Sequence, residues 1–300
     1  MNQGCPNPKC KVHLQVLFQK KDGHYFREDD AKYIQRFKCK ICSKKYSTAT
    51  FKLEYRQKKR RWNQFIRRDY TAGKSMNRMV MHLKLHPKTI ERKIQYLAEK
   101  ARRSQKNLLQ KMKENQISEI QFDDLIASIH TKLKPVSISV VIDPNQRLIL
   151  GARVAEIPAF GKIAEISKRK YGRRQNLHPK TLDRLLFELR VNIASNCLFK
   201  TDEHIKYPGI ILKNYPQASH LTHKGERATV AGFGEMKQRA FDPLFQINQI
   251  LAMFRANMNR LFRRSWNTSK TQASLQDHVD IFIDYFNEEL RLNVKRCKKI

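Results

Sequence analysis

The sequence predicts a multi-domain α/β protein, and three observations carry that expectation. Four of the six cysteines fall in two close pairs before residue 43, and apolar residues recur at helical spacing between Trp62 and Leu97. Beyond residue 116, short apolar runs alternate with helical stretches, which is the pattern of an α/β core. The chain carries 61 Lys and Arg against 27 Asp and Glu, a formal net charge of +34 over 300 residues. Self-repulsion of that size calls for a polyanion, so nucleic acid is the first partner expected and an acidic membrane surface the second. No apolar stretch reaches the length of a membrane span, and the N-terminus has neither the basic nor the apolar region of a secretory signal. We therefore expect no membrane association and a cytoplasmic, nucleoid-associated protein, in whose reducing surroundings paired cysteines indicate metal rather than disulfides.

Residues 1–50 hold Cys5-Pro-Asn-Pro-Lys-Cys10 and Cys39-Lys-Ile-Cys42. Two short knuckles separated by room for a hairpin suit a tetrahedral zinc ion, and a segment this poor in apolar residues needs such a staple. Cys5, Cys10, Cys39 and Cys42 are the expected ligands, with His13 and His24 as possible substitutes. Residues 51–115 begin with a basic run, Arg56 to Arg68, in which Trp62, Phe65 and Ile66 are spaced for one helix face; it reads as a phosphate-contacting linker. From Ala72 to Arg103 the pattern is a helix-turn-helix: Gly73 and Ser75 open a helix through Met76, Met79, Val80 and Leu83, and Leu85-His86-Pro87 forms the turn. In the second helix Ile90, Ile94 and Leu97 make the apolar stripe. Lys88, Thr89, Arg92 and Lys93 are expected on its exposed side, where a recognition helix meets DNA. Lys100 to Glu114 continues as a basic helix or linker.

Residues 116–290 change character. Ile117 to Leu125, Pro135 to Asp143 and Arg147 to Glu156 read as strands, the last two joined by an Asp143-Pro-Asn-Gln146 turn. His178 to Arg190 reads as a helix leading into a strand that ends at Asp202, and Gln217 to His223 as one more strand. Asp123 at the end of the first strand and Asp202 at the end of the fourth are rigid, reachable carboxylates of the kind that hold divalent cations. Asp124 competes with Asp123, because successive strand residues point to opposite faces. A third ligand is sought on the helix from Asp242, whose core stripe is Leu244, Ile247, Leu251, Phe254, Met258 and Leu261. Asn248, Ala252, Arg255 and Asn259 share another face, with Arg260, Arg263 and Arg264 extending the basic surface. Glu235 and Asp242 are the alternatives to Asn248, although Asp242 also reads as an N-cap. His204, His220 and His223 read as polar or DNA-contacting side chains. Leu275, Val279, Phe282, Ile283 and Phe286 form a packing stripe, and residues 291–300 a basic tail containing the unpartnered Cys297.

Taken together, the Cys knuckles, the helix-turn-helix, Phe122-Asp-Asp124, Thr201-Asp202-Glu203, the helix from Asp242 to Trp266 and Tyr285-Phe-Asn287 resemble the DDE-type transposases of bacterial insertion sequences. The resemblance is specifically to the group with an N-terminal zinc ribbon and an RNase H-like, integrase-like catalytic domain. That resemblance implies metal-dependent DNA cleavage and strand transfer, binding of terminal inverted repeats and target DNA, and homo-oligomers assembled on DNA. It also implies two catalytic Mg2+ (or Mn2+) ions beside a structural Zn2+. Carried over to this sequence, it selects Asp123 over Asp124, makes Asp202 and Asn248 the other ligands, and makes Arg255 the basic residue seven positions later. Asn248 stands where most such enzymes have Glu, which lowers the charge opposing the cations. The competing expectation is a DNA-binding regulator whose catalytic domain has decayed.

Overall fold

The computed structural model describes residues 4–224, 242–262 and 267–291 of the chain. Glu235, Arg263, Arg264, Trp266 and residues 292–300, with Cys297, lie outside the described residues. The N-terminal segment forms a three-stranded antiparallel sheet of β1 (Gln19–Arg27), β2 (Lys32–Cys39) and β3 (Lys45–Ser47), in that order. Its small core holds Val12, Phe37 and Tyr46 with Cys5, Cys10 and Cys39.

Three helices follow: α1 (Trp62–Thr71), α2 (Met76–Leu83) and α3 (Pro87–Lys111). Local chemistry sets their ends. The Ser75 hydroxyl accepts the Arg78 N–H to cap α2, and Lys84 in the left-handed region stops it. Pro87 opens α3 where its missing donor is harmless. No Pro or Gly interrupts α3, so it absorbs the stretch read as helix or linker and reaches Lys111. Ile66, Tyr70, Met79, Leu83, Ile90, Ile94 and Leu97 meet in one core.

Several cationic side chains are placed differently from the expectation. Lys93 is buried and donates to the Lys58 carbonyl and to Asn63 Oδ1, so it belongs to the packed side of α3. It lies three residues after Ile90 and one before Ile94, on the flank of the apolar stripe, and burial depresses its amine to about 8. Lys88 and Arg92 are exposed, and Thr89 is half-buried. In the basic run, helix starts only at Trp62; Phe65 faces solvent, while Arg67 is buried.

The remaining chain builds a mixed α/β unit. Its strands are β4 (Ile117–Ser128), β5 (Pro135–Asp143), β6 (Leu148–Glu156), β7 (Ile193–Asp202) and β8 (Ser219–His223), and its helices α4 (Ala164–Tyr171), α5 (His178–Glu188), α6 (Tyr207–Asn214), α7 (Phe245–Asn257) and α8 (Gln272–Tyr285). The five strands form one sheet in the order β6-β5-β4-β7-β8, antiparallel from β6 to β4 and parallel from β4 to β8. Helices cover both faces. On one, Leu125, Val140 and Ile149 pack against α7 and α8; on the other, Phe122, Leu150 and Phe199 pack against α5 and α6.

The outer edge of β6 is closed by side-chain amides instead of a further strand. Asn287 Oδ1 accepts the Ile149 N–H while its Nδ2 donates to the Ile149 carbonyl, and Gln276 does the same for Val154 N–H and the Ala152 carbonyl. Gln105 of α3 and Gln272 of α8 donate to the Leu150 and Val154 carbonyls. These bonds satisfy backbone groups that would otherwise template a foreign strand, and they tie the helical segment to the sheet. Arg67 strengthens that union by ion pairs to Asp284 at 2.9 Å, Glu288 at 2.7 Å and Glu289 at 2.6 Å. Arg260, expected on the basic surface, is instead occupied by Ser269 and Ser274 and lies over the Tyr70 ring. Among the described residues, no helix is long and apolar enough to cross a membrane.

Candidate functional site

The four cysteine sulfurs lie within 4.8 Å of one another, with Cys5 to Cys42 at 3.4 Å and Cys10 to Cys39 at 3.8 Å. Four thiolates about 2.3 Å from a tetrahedral ion stand about 3.8 Å apart, so this cluster fits a structural metal such as zinc. The thiols are electrostatically unequal: the Lys44 backbone N–H lowers Cys42 to about 6, whereas burial pushes Cys5 up to about 12. His13 bonds the Asn7 carbonyl and His24 packs edge-on to Tyr33, which leaves neither in the sulfur cluster. The full-length protein is expected to contain one zinc per chain by elemental analysis. Cys39→Ser should reduce this to near zero and melt the N-terminal sheet; full zinc content in that variant would remove Cys39 from the ligand set.

The acid site follows from strand alternation. Gln121 and Lys200 pair across the parallel strands β4 and β7, and Asp123 and Asp202 each lie two residues further along on the same face. Asp123 is not at the end of its strand, as expected, because β4 runs on to Ser128 against β5. It stands instead just past the last residue at which β7 pairs with β4, which opens one side of it. Burial pushes the Asp123 carboxyl up to about 7; the Asp124 backbone N–H opposes the rise, the Asp202 and Asp124 charges add to it, and Arg255 opposes it. Asp123, Asp202 and Arg255 therefore form one electrostatic group.

Gln121, on that same face, pins the start of α7: its Nε2 donates to the Pro243 carbonyl and its Oε1 accepts the Ile247 N–H. Asn248 is the next residue. Its Nδ2 donates to Asp242 Oδ2, so its oxygen is the atom it can offer a cation. Asp242 itself accepts the Leu244 N–H, and α7 begins only at Phe245, three residues later than the sequence suggested. Pro243 and Leu244 form the turn that precedes it. Asn259, expected on the face of Asn248 and Arg255, is buried in a 3-10 turn past the end of α7.

Asp124 points to the other face. There it accepts from Ser139 Oγ at 2.5 Å and Tyr207 Oη at 2.6 Å, with His178 Nε2 also 2.6 Å away. Burial favours its neutral form, yet His178, Ser139 and Tyr207 hold it below the usual carboxylate range. Its backbone N–H donates to Asp123 Oδ1, a bond that restrains the Asp123 carboxylate. Nothing in the sequence links Asp124 to Tyr207 at a separation of 83 residues; only the alternation of faces along β4 hinted that the two acids part company. His204 donates its N–H to Asp202 and stacks on Tyr207, and His220 shares a hydrogen bond with Thr201.

Asp123 and Asp202 thus offer two carboxylates on one face, with Arg255 acting on the Asp123 carboxyl; carboxylate oxygens suit a divalent ion and a guanidinium suits a phosphate. A scan against protein-family models finds no match to the chain, and a search of curated proteins finds none either.

Proposed function

We propose that the protein is a DDE-type transposase in which Asn248 takes the place of the third acid, the cysteine module is a zinc ribbon, and the five-stranded unit is an RNase H-like catalytic domain. The reading rests on one observation above all: Asp123 and Asp202 share a face of two adjacent parallel strands, with Arg255 beside them. Asp123, Asp202 and Asn248 would hold Mg2+ or Mn2+. When bound, such ions supply Lewis acidity at the attacking and leaving oxygens of a phosphoryl transfer. Arg255 orients the scissile phosphate through a charge-assisted contact. Gln121 keeps α7 in register with β4, and the Asp124 backbone N–H keeps the Asp123 carboxylate from rotating away.

The decisive experiment looks for inverted repeats flanking the gene and incubates the protein with DNA carrying them, with Mg2+ or Mn2+ and with EDTA. Metal-dependent nicking at the repeat ends supports the transposase. Repeat binding without cleavage under either ion would favour a DNA-binding regulator. Within the helical module, Lys88 and Arg92 are the exposed cations that would meet phosphate. Arg92→Ala should lower the salt slope of repeat binding by about 0.9, the value of one phosphate contact. Lys93→Met, at a buried position, should leave that slope unchanged and alter only stability. Equal slopes for wild type and Arg92→Ala would remove α3 from the interface.

A further inference from the structure

Beside Arg255 a groove of about 580 Å³ opens between the end of β4, the loop after β6 and the C-terminal end of α7. Three cations line it, Lys132, Arg255 and Arg260, and no carboxylate does. Its walls also expose large apolar groups: Phe160 is 62% exposed, Ile126 48% and Phe262 39%. Apolar surface gathered in one concavity and left to water marks a binding site more often than a structural one. The Phe262 ring is held in place by the helical module, since a Cβ on Gly73 would lie 2.7 Å from its Cζ. Gly73 also has φ +77°, so no other residue sits there easily.

The loop that carries Phe160 belongs to a basic insertion. Lys162, Lys168, Arg169 and Lys170 are exposed along it and the following α4. Open aromatic faces flanked by cations match a polyanion that presents flat, apolar rings, namely a nucleic-acid strand. In a duplex those ring faces are covered by neighbouring base pairs, so they become available only when a strand is unpaired. β4 reaches the groove at Ala127, four residues beyond Asp123 on the same face, and Arg255 both lines the groove and acts on the Asp123 carboxyl, which puts the groove on the side of the proposed scissile position.

We propose that this groove takes an unpaired stretch of DNA next to the cut site, with bases stacked on Phe160 and Phe262 and phosphates on Lys132 and Arg255. The proposal rests on DNA being the substrate. Its test compares the affinity of the full-length protein for two fluorescein-labelled DNAs, a blunt duplex ending at the repeat and the same duplex with a short unpaired extension. One stacked base should favour the extended DNA by about 5- to 150-fold. Phe160→Ala should bring that preference close to one without changing duplex affinity, and Phe160→Trp should retain it. Because Phe160 is mostly in solvent, the truncation leaves no core cavity, and an unchanged melting temperature verifies this. Equal affinity of the wild type for the two DNAs, or an undiminished preference in Phe160→Ala, would overturn the groove assignment while metal-dependent cleavage still stood. Failure to bind either DNA would overturn both readings.

Discussion

Asp202→Ala is expected to lower metal-dependent strand cleavage by at least about 10³-fold, because it removes one of two carboxylates that no neighbour can replace. Asp123→Ala should do the same. Neither change should weaken DNA binding, since taking an acid from a site that faces phosphate reduces repulsion. The fold gives an independent control. Asp202 is among the groups that raise the Asp123 carboxyl, so the two acids oppose each other in the metal-free protein. Asp202→Ala relieves that repulsion but removes the acceptor of the His204 N–H, so its melting temperature in EDTA is the control that lost cleavage is not lost folding. Asn248 tests the third position: Asn248→Ala should abolish cleavage, whereas Asn248→Glu adds a charge and should lower the Mg2+ concentration needed for half-maximal rate. Full activity in Asn248→Ala would move attention to Asp242, which already accepts the Asn248 amide. Undisturbed cleavage in Asp202→Ala would remove the basis of the catalytic reading.

Elements were legible where a local signal carried them. The Asp143-Pro-Asn-Gln146 turn is closed by the Asp143 carboxylate accepting two backbone N–H groups, a bond set written in the residues themselves. Ser75 before α2 and Pro87 as the first residue of α3 acted as helix starts because their effect is local too. The stripe from Leu275 to Phe286 was plain because helical spacing is a short-range property. Charged residues were read less well. Arg67 and Arg260 were assigned to a basic surface by type alone, yet their partners are Asp284 and Ser274, in α8. No short-range pattern discloses a partner more than 200 residues away, as in the case of Arg67 and Asp284. Lys93 was separable in principle, since its place beside Ile90 and Ile94 on a helical wheel lies at the border of the stripe. The insertion between β6 and α5 was not assigned at all: its basic residues show no period, and what makes its Phe160 interesting is the groove it shares with residues far along the chain. The resemblance selected Asp123 over Asp124; which of the two shares a face with Asp202 depends on the register of β4 against β7, a property of the assembled sheet.

Arg67→Ala should destabilise the protein by about 3–5 kcal/mol, the cost of removing one member of a buried ion cluster and stranding the rest. The Arg67 side chain is 7% exposed and that of Asp284 8%, so water cannot replace the missing guanidinium cheaply at that carboxylate. Glu288 and Glu289 are more exposed, at 53% and 30%, and contribute less because solvent screens them. The backbone is shaped around this cluster. In a regular helix Asp284 and Glu288 share a face, but Glu289 is turned about 100° from Glu288. The π-turn at Phe286–Leu290 widens the helix, and all three acids reach one guanidinium. Arg67→Lys should recover only part of the loss, since an ammonium cannot reproduce the fork that bonds Asp284 and Glu288 through one nitrogen and Glu289 through the other. The double variant Arg67→Met with Asp284→Leu should lie closer to wild type than Arg67→Ala, because it leaves no uncompensated charge at the most buried carboxylate. Urea unfolding of the four proteins measures these differences directly. A loss below about 1 kcal/mol in Arg67→Ala would mean that water reaches Asp284 and that the cluster behaves as a surface pair. The double variant ranking below Arg67→Ala would mean that the ions, rather than apolar packing, hold α1 against α8.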